Sequence, residues 1–522
     1  MDSKSQKYDR QLRLWHANGQ AALENASVCL INGTATGAEI LKNLILPGIG
    51  SFTILDNKTV DSQDVGNNFY LEMSSVGRSR AQSVTHFLKE LNEDVKGFHM
   101  QEDIYALIEE RPEFFKQFSI VIASEVPESY LIKLSEYCWM ENIALMAVRS
   151  FGYMGYLRIA VPEQTVIETH SENTIDLRID CPFPELEKYA KSFELENLSN
   201  MDHGNVPYVV ILLQAMQKWK SQHNGQLPNV YAEKTEFRKQ IQQMSRSVDE
   251  ENFEEATNMV FRVCNQTEVP SGIRSLFASS ASIEITNQTP DFWLMLRALE
   301  EFVNHEGNGL LPVSGSLPDM KSDTERYIAL QNIYRQKAKE DLLAFKNHLN
   351  KLLTRVNRPA NSITEEQIEV FCKNTGFLTV LKYRSIAEEY RNSPKIKQIR
   401  QWLEDETGNL PYYVIVRAVD RFYEAYKRYP GQEDESVKED IKLLKEATVN
   451  LLNEWGLSKE SISEDHIHEV CRTGLAELPS IAALLGGIVS QEVIKLVTKQ
   501  YIPLNNTLVY NGINATTSTY EL

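Results

Sequence analysis

Cysteine is scarce in this sequence, and no two cysteines are closely spaced. The 522 residues include six cysteines, and none of them belongs to a C-x-x-C pair. Disulfide frameworks and zinc knuckles are built from closely spaced cysteines, so neither is expected. The sequence therefore predicts reduced thiols, no metal site, and a location in the cytoplasm, the nucleus or both.

Long hydrophobic runs are also missing. Residues 1–10 are polar and charged with no apolar stretch behind them, which argues against a signal peptide. The most continuous apolar run near the C-terminus, residues 481–489, is far shorter than the roughly 20 residues that a membrane helix needs. We expect no association with a membrane.

Basic residues are outnumbered by acidic ones. Lysine plus arginine number 54 against 72 aspartate plus glutamate, which gives a formal net charge of −18. Nucleic-acid binding draws much of its affinity from neutralised phosphates, so this balance argues against a nucleic-acid partner. The surface is better suited to solubility and to steering basic proteins.

Strand and helix patterns alternate in the first third of the chain. Short apolar runs predict strands at residues 27–32, 52–56, 119–123 and 144–148. Helical spacing of apolar residues predicts helices at residues 38–46, 80–91 and 131–139. This alternation predicts an α/β fold with a doubly wound, mainly parallel sheet.

Amphipathic helical patterns dominate the middle of the chain, and the longest spans residues 327–353. A further apolar helix at 481–496 and a strand at 507–510 are predicted near the C-terminus. We therefore expect three segments. These are an N-terminal α/β part over 1–165, a large, mostly helical insertion over 166–475, and a part over 476–522 that returns to the sheet.

A glycine-poor turn follows the first predicted strand. Nucleotide-binding sheets use a G-x-G-x-x-G turn, whose bare N–H groups approach the phosphates, and an acidic residue that takes the ribose hydroxyls. That acidic residue is Asp56 here, and the turn consists of Asn32, Gly33, Thr34, Ala35, Thr36 and Gly37. Weak nucleotide binding and an inherited fold with an empty site both stay open. The glycine requirement favours the empty site.

Three segments together resemble the ubiquitin-like-protein activating enzymes. YDRQLRLW at residues 8–15 resembles their opening motif, and EILKNLILPG at 39–48 resembles the helix after their nucleotide loop. GGIVSQEVIK at 486–495, followed by Asn505 and Asn506, resembles their C-terminal return to the sheet. The segments occur in this order and lie at both ends of the chain. The chain is therefore identified as a member of that family, with a degenerate adenylation domain.

The middle region resembles the insertion of the regulatory subunits of enzymes that activate the neddylation modifier, through VPY at 206–208, LPDM at 317–320 and LQNIY at 330–334. The resemblance implies an obligate heterodimer with a catalytic subunit. That subunit would adenylate the ubiquitin-like modifier and pass it on, indirectly, to a conjugating enzyme. Partner contacts are implied for His203, Pro207, Met320, Ile328, Gln331 and Tyr334.

Residues that the catalytic members use are replaced in this chain. Of their four-glycine loop only Gly37 is kept, and their Asp-x-Asp becomes DNK at 56–58. Their Asn-x-Asn-Arg-Gln run becomes DVGNN at 64–68, and their metal-holding aspartate falls near EVP at 125–127. Adenylyl transfer depends on such positioning and charge neutralisation. We therefore expect no adenylation by this chain alone, with ATP and magnesium bound by the partner subunit.

The thioester-forming cysteine of the family is missing too. That cysteine sits in a Pro-x-Cys-Thr-like context, and the nearest composition here is Cys181 in CPFP at 181–184. A nucleophilic cysteine needs an activating base or positive surroundings, which Ile179 and Asp180 do not supply. Cys181 is therefore expected to be an ordinary loop thiol.

Arg10 is the residue for which the resemblance implies an active role. In related dimers the arginine of this motif is implied to cross the interface and touch the nucleotide phosphates in the partner's site, which suits the forked donors of a guanidinium. The alternative is a salt bridge that anchors the N-terminal segment. Arg13, in the same motif, is expected to be structural.

Other function classes stay open at this point. A pure adaptor would recruit proteins through the helical region, and Arg10 would be dispensable for the partner's chemistry. A nicotinamide-linked oxidoreductase would need an intact glycine loop, and a homodimeric adenylating enzyme would need the missing arginine and aspartates. The sequence therefore favours a regulatory subunit that donates Arg10 in trans.

Overall fold

The computed structural model describes residues 6–170, 176–392, 395–405, 407–474 and 476–522. The chain divides into two compact units. The sheet unit comprises Met1–Gln164 and Val380–Leu522, and the helical unit comprises Thr165–Thr379. The first boundary lies within one residue of the predicted one. The second lies at residue 379, whereas the sequence pattern predicted it at 475.

Both units contain many helices. The sheet unit begins with α1 (Asp9–Asn25), α2 (Ala35–Ile45), α3 (Ser62–Asn67), α4 (Arg80–Lys89), α5 (Ile104–Glu110) and α6 (Glu128–Met140). The helical unit contains α7 (Pro184–Lys191), α8 (Asn200–His203), α9 (Tyr208–Gln222), α10 (Tyr231–Met244), α11 (Glu251–Val263), α12 (Ser271–Phe277), α13 (Ser280–Ile283), α14 (Asp291–Asn304), α15 (Thr324–Arg355) and α16 (Glu365–Lys373). The sheet unit resumes with α17 (Ile396–Leu403), α18 (Leu410–Tyr426), α19 (Val437–Glu454), α20 (Glu464–Thr473) and α21 (Pro479–Thr498).

Ten strands are present in the described part of the chain. They are β1 (Ser27–Ile31), β2 (Ser51–Leu55), β3 (Lys96–Met100), β4 (Ile120–Ser124), β5 (Ala144–Phe151), β6 (Met154–Ala160), β7 (Glu163–Val166), β8 (Thr379–Lys382), β9 (Thr507–Asn511) and β10 (Thr516–Tyr520). Eight of them form one sheet in the order β10-β9-β6-β5-β4-β1-β2-β3. The pairs β5-β4, β4-β1, β1-β2 and β2-β3 are parallel. The pairs β5-β6, β6-β9 and β9-β10 are antiparallel. The predicted α/β class with a mainly parallel sheet is confirmed.

Helices cover both faces of this sheet. Successive side chains of a strand point to opposite faces, so Val28 and Leu30 of β1 join one hydrophobic cluster. That cluster includes residues of α2, α4 and α21. Cys29 and Ile31 join the opposite cluster, which includes residues of α5 and α6. Because β1 is buried on both faces, its sequence is continuously apolar, as expected for the centre of a parallel sheet.

The helices after residue 380 belong to the core of the sheet unit. Buried residues from Ile399 to Cys471 form one hydrophobic cluster with Phe151, Tyr156 and Val509, which lie on strands of the sheet. Helical periodicity shows that a helix has an apolar face, but not which core this face joins. The predicted insertion therefore included these helices, and its C-terminal boundary is corrected.

Helix α21 is long and apolar enough, by length and composition, to span a membrane, and it is the one such helix among the described residues. Half of its most apolar window is buried, and it packs on α2 within the sheet unit. At Gly486 a Cβ would lie 2.7 Å from the Cβ of Glu39, so the two helix backbones approach closely. Val489 and Val493 are fully buried. Packing in the core accounts for the apolar composition.

Candidate functional site

The opening motif of the sheet unit is anchored by the residues on either side of Arg10. Tyr8 is 3% exposed, and its Oη accepts a hydrogen bond of 3.1 Å from Asn92 Nδ2. Gln11 Nε2 donates to the carbonyl oxygen of Pro47 at 2.8 Å. These contacts fix the first turn of α1 without Arg10.

Arg10 itself is exposed in that first turn. Its guanidinium makes no hydrogen bond or ion pair with any residue that the structure describes. The ion pair of this turn joins Arg13 Nη2 to Asp9 Oδ2 at 2.9 Å. The structure therefore places Arg13 in a local structural role and leaves Arg10 available to contact a group outside the described chain.

The turn between β1 and α2 is closed by its own side chains. Asn32 adopts a positive φ of 66° and donates from Nδ2 to the carbonyl oxygen of Ser124 at 2.8 Å. Thr34 Oγ1 accepts a hydrogen bond of 3.1 Å from Gly37 N, which caps helix α2, and lies 2.8 Å from Ser124 Oγ. The polar atoms of this turn are thus directed into the fold.

The N-terminus of α2 is occupied by a carboxylate from the far end of the chain. Ala35 N donates to Glu477 Oε2 at 2.9 Å, and Thr36 N donates to Glu477 Oε1 at 3.0 Å. Unpaired N–H groups and the helix dipole make this end of a helix an anion site, which nucleotide-binding folds use for phosphate. Here the anion is part of the protein.

Asp56, the predicted ribose ligand, is fully buried at the end of β2. Its Oδ2 accepts from Gly33 N at 2.8 Å and lies 2.6 Å from Arg80 Nε, while Oδ1 accepts from Lys58 N at 2.9 Å. Arg80 also pairs with Asp64 at 3.0 Å. Burial alone would lower the pKa of Arg80, but the two carboxylates raise it above its usual value. Both oxygens of the Asp56 carboxylate are therefore bonded within the fold.

Glu125 belongs to the segment near which the resemblance puts the family's metal-holding aspartate, and its carboxyl group is also bonded within the fold. Its Oε1 accepts from Ser150 N at 2.9 Å, and its Oε2 lies 3.4 Å from Arg149 Nη1. Burial raises the pKa of Glu125 to about 7, which Arg149 opposes and the charge of Glu477 reinforces. No group of three or more His, Cys, Asp or Glu residues suited to a metal ion occurs in the described ranges.

Arg149 also forms an ion pair with a second buried acidic residue, Asp420. Its Nη2 lies 2.7 Å from Asp420 Oδ1, and both side chains are 2% exposed. Burial raises the pKa of Asp420 to about 6, against the attraction of Arg149. One guanidinium thus lies beside two buried acidic side chains at the edge of the site.

Cys181 does not have the surroundings of a nucleophile. It lies half-buried in the helical unit, whereas the other five cysteines are buried. Burial, followed by the adjacent Asp180 carboxylate, raises the pKa of the Cys181 thiol to about 11. Reactive cysteines have a lowered pKa and positive surroundings. The geometry agrees with an ordinary loop thiol.

Three of the six predicted partner-contact residues are buried within the helical unit. His203 Nδ1 lies 2.6 Å from Glu250 Oε1, and its ring stacks on Phe253. Tyr334 donates from Oη to the carbonyl oxygen of Leu177 at 2.6 Å, and Pro207 is buried at the start of α9. Their own unit covers these side chains, so the prediction of partner contacts is corrected for all three.

The other three predicted contact residues are accessible. Ile328 is 47% exposed on α15. Gln331, on the same helix, and Met320, in the segment before it, are half-buried. Partner contact by these three stays a prediction.

These contacts define a protein with a doubly wound, mainly parallel sheet, in which the chain's own side chains engage the residues predicted from the sequence to face phosphate, ribose and metal. A model of the ThiF family matches residues 8–522, and the chain belongs to the ThiF family.

Full-length relatives refine this assignment. The chain is 44% identical to a protein from Gallus gallus named NEDD8-activating enzyme E1 regulatory subunit, over 99% of this chain and 98% of that protein. A protein of the same name from Danio rerio is 44% identical, over 100% and 99% of the two chains. The Arabidopsis thaliana protein named NEDD8-activating enzyme E1 regulatory subunit AXL is 43% identical over 97% of each. The resemblance to regulatory subunits that the sequence indicated is confirmed.

Proposed function

We propose that this chain is the regulatory, non-catalytic subunit of a heterodimeric enzyme that activates the ubiquitin-like modifier NEDD8. It supports ATP-dependent adenylation and thioester formation on a catalytic partner subunit. The names of its full-length relatives support the pathway and the role. The observation that carries the non-catalytic role is the carboxylate of Glu477 on the backbone amides of Ala35 and Thr36.

In this proposal ATP and magnesium bind to the partner subunit. Phosphoryl and adenylyl transfer require free donors for the phosphates and a positioned metal ion. In this chain the amides at the start of α2 are engaged by Glu477, and Asp56 and Glu125 are engaged by Arg80 and Arg149. The half-buried Cys181, with its raised pKa, is unsuited to form a thioester.

Arg10 is the residue that this chain contributes to the partner's chemistry. The neighbouring side chains anchor α1, so Arg10 is not needed to hold the motif in place. Its guanidinium is exposed and makes no ion pair within the described residues. Such a group can donate paired hydrogen bonds to phosphate oxygens in a neighbouring active site.

The modifier and, indirectly, the conjugating enzyme complete the assembly. Ile328, Gln331 and Met320 give the helical unit accessible positions for protein contacts. The net charge of −18 favours association with basic surfaces on these partners. In this proposal no nucleic acid or membrane takes part, and the protein acts in the cytoplasm, the nucleus or both.

ATP–pyrophosphate exchange in the presence of NEDD8 tests the proposal. The chain alone should be silent, and the chain with its catalytic partner should be active. The heterodimer with Arg10→Ala should lose roughly tenfold or more of the exchange rate while remaining assembled, because a phosphate contact in the transition state is removed. Arg13→Ala, three positions along the same helix, is the matched control and should stay near wild type.

The outcomes separate the alternatives. Exchange by the chain alone would contradict the non-catalytic role. An Arg10→Ala heterodimer as active as Arg13→Ala would favour a pure scaffold that makes no contribution to the ATP site.

A further inference from the structure

A cavity of about 600 Å³ lies within the helical unit and takes no part in the function proposed above. Ligand pockets in proteins have volumes of roughly 300–1,000 Å³, so this one is large enough to hold a small molecule or a few side chains of a peptide. Residues from four segments form its wall, namely 176–180, 262–270, 311–316 and 373–377. All four segments belong to the helical unit, so the cavity is a feature of that unit's own fold.

The wall of this cavity is held in place by bonds to its own backbone. Thr267 N donates to Asp180 Oδ2 at 2.7 Å, which joins two of the four segments. Val313 N donates to Asp341 Oδ2 at 2.9 Å, which ties a third segment to the buried side of α15. The cavity is therefore formed before any ligand binds, as most binding pockets are.

The acidic residues of the wall already have partners. Asp176 Oδ2 lies 2.8 Å from Arg178 Nε, and Glu268 Oε2 lies 2.8 Å from Arg274 Nη2. Asp180 accepts hydrogen bonds from the amide and the hydroxyl group of Thr267. These carboxylates are therefore bonded within the unit and leave the basic residues of the cavity without a counter-charge.

Three basic residues at the cavity have no carboxylate partner among the residues that the structure describes. Arg262 and Lys373 line the cavity, are exposed, and make no ion pair or hydrogen bond with the described chain. Lys234 Nζ donates to Oδ1 of Asn265, which also lines the cavity, at 2.9 Å. In a chain with a net charge of −18, this concave group of unpaired cations favours an acidic ligand.

An exposed aromatic pair adjoins these cations. Tyr231 is 78% exposed and Phe261 is 38% exposed, and their rings stack with centroids 5.7 Å apart. Phe261 directly precedes Arg262 on α11, and Tyr231 lies three positions before Lys234 on α10. Exposed aromatic side chains provide much of the contact energy in protein interfaces. The cationic rim of the cavity is thus continued by an apolar surface.

We propose that this cavity and the aromatic pair form a docking site for an acidic peptide segment of a partner protein. The carboxylates of the segment bind Lys234, Arg262 and Lys373, and its apolar side chains contact the cavity wall and Tyr231. The three cations lie on three different helices, α10, α11 and α16, and the aromatic pair lies outside the cavity wall. An extended chain suits this arrangement better than a compact anion does. Neither Arg10 nor the turn before α2 takes part in the site.

Fluorescence anisotropy of the full chain with a labelled peptide tests this proposal. The probe is a short peptide in which glutamate alternates with leucine and phenylalanine, and the comparison probe has glutamine in place of every glutamate. The wild-type chain should bind the glutamate peptide roughly tenfold or more tightly than the glutamine peptide, and added salt should weaken this binding. Equal binding of the two peptides, or no binding of the glutamate peptide, would overturn the proposal.

Charge reversal locates the site. Arg262→Glu combined with Lys373→Glu should weaken binding of the glutamate peptide by roughly tenfold or more, because two attractive contacts become repulsive. Lys339→Glu combined with Lys351→Glu is the matched control, since both lysines are exposed on α15 and the net charge changes equally. This control should stay within about threefold of wild type. Equal losses for the two double variants would show a general charge effect and overturn the site.

Further probes separate an acidic peptide from other anions. Inorganic phosphate should displace the glutamate peptide no more than sodium chloride of equal ionic strength does, and a labelled oligothymidylate of the same length should bind more weakly than the peptide. Tyr231→Ala should weaken peptide binding severalfold, because it removes the exposed half of the aromatic pair. Displacement specific to phosphate, tighter binding of the oligonucleotide, or unchanged binding by Tyr231→Ala would each contradict the proposed site.

Discussion

Arg80 Nε lies 2.6 Å from Asp56 Oδ2, and this ion pair joins the first residue of α4 to the end of β2. Asp56 is fully buried, and Arg80 is 6% exposed. The carboxylate that would bind a ribose in a nucleotide site therefore holds two elements of the sheet unit together.

Arg80→Ala should lower the free energy of unfolding by about 3–5 kcal/mol, because it leaves Asp56 buried without its counter-charge. Urea denaturation measures this loss. Arg78→Ala, on the exposed side of the same segment, should change stability by less than about 0.5 kcal/mol. A loss below about 1 kcal/mol for Arg80→Ala would contradict the structural role assigned to the pair.

The buried carboxylates around Arg149 should make stability depend on pH near neutrality. The pKa of Glu125 is about 7 and that of Asp420 about 6 in the folded chain, above their ordinary values of 4.5 and 3.8. The folded state therefore binds these protons more tightly than the unfolded state. Their contribution is fully present below the ordinary values and is lost as pH rises through about 6 to 7.

We therefore expect Glu125→Gln to flatten the fall in unfolding free energy between pH 5 and pH 8, as measured by urea titration at each pH. Each unit of pKa difference corresponds to about 1.4 kcal/mol. The exposed Glu110→Gln should leave the pH profile unchanged. A Glu125→Gln profile parallel to that of the wild type would contradict the raised pKa.

The contact between α21 and α2 should tolerate no side chain at Gly486. A Cβ there would lie 2.9 Å from the carbonyl carbon of Glu39, so Gly486→Ala should cost about 1–3 kcal/mol through overpacking. A Cβ at Gly487 would meet no atom within 4 Å, so Gly487→Ala is an adjacent control. It should be neutral or stabilise by up to about 1 kcal/mol, since alanine favours the helix. Equal effects at the two positions would contradict the close helix contact.

Tyr334 should matter for the stability of the helical unit. Tyr334→Phe removes the buried hydrogen bond from Oη to the carbonyl oxygen of Leu177, and should cost about 1–3 kcal/mol in urea denaturation. Ile328→Ser, on the exposed face of the same helix, should stay within about 0.5 kcal/mol of wild type. If Tyr334→Phe were as stable as wild type, the hydrogen bond from Tyr334 Oη to Leu177 would not contribute to the stability of the helical unit.

Apolar runs predicted four of the buried strands of the sheet unit but missed β6, although β6 is buried along its whole length. Strands β1, β2, β4 and β5 lie inside the sheet, and their apolar side chains show this directly in the sequence. Strand β3 was not predicted. It lies at the sheet edge with Lys96, Phe98 and His99 exposed. Because an exposed edge strand needs no continuous apolar run, the sequence gives no signal for it.

The sequence by itself determined the α/β class, the family, and the replacement of the glycines, the arginine and the aspartate that a catalytic site needs. These properties reside in local patterns and in residue types at fixed spacing. The tertiary structure alone decided what occupies the vacated positions. Glu477 reaches Ala35 across 442 positions of sequence, and Arg80 reaches Asp56 across 24. Such contacts arise from the packing of separate elements, and the spacing of residues along the chain does not predict them.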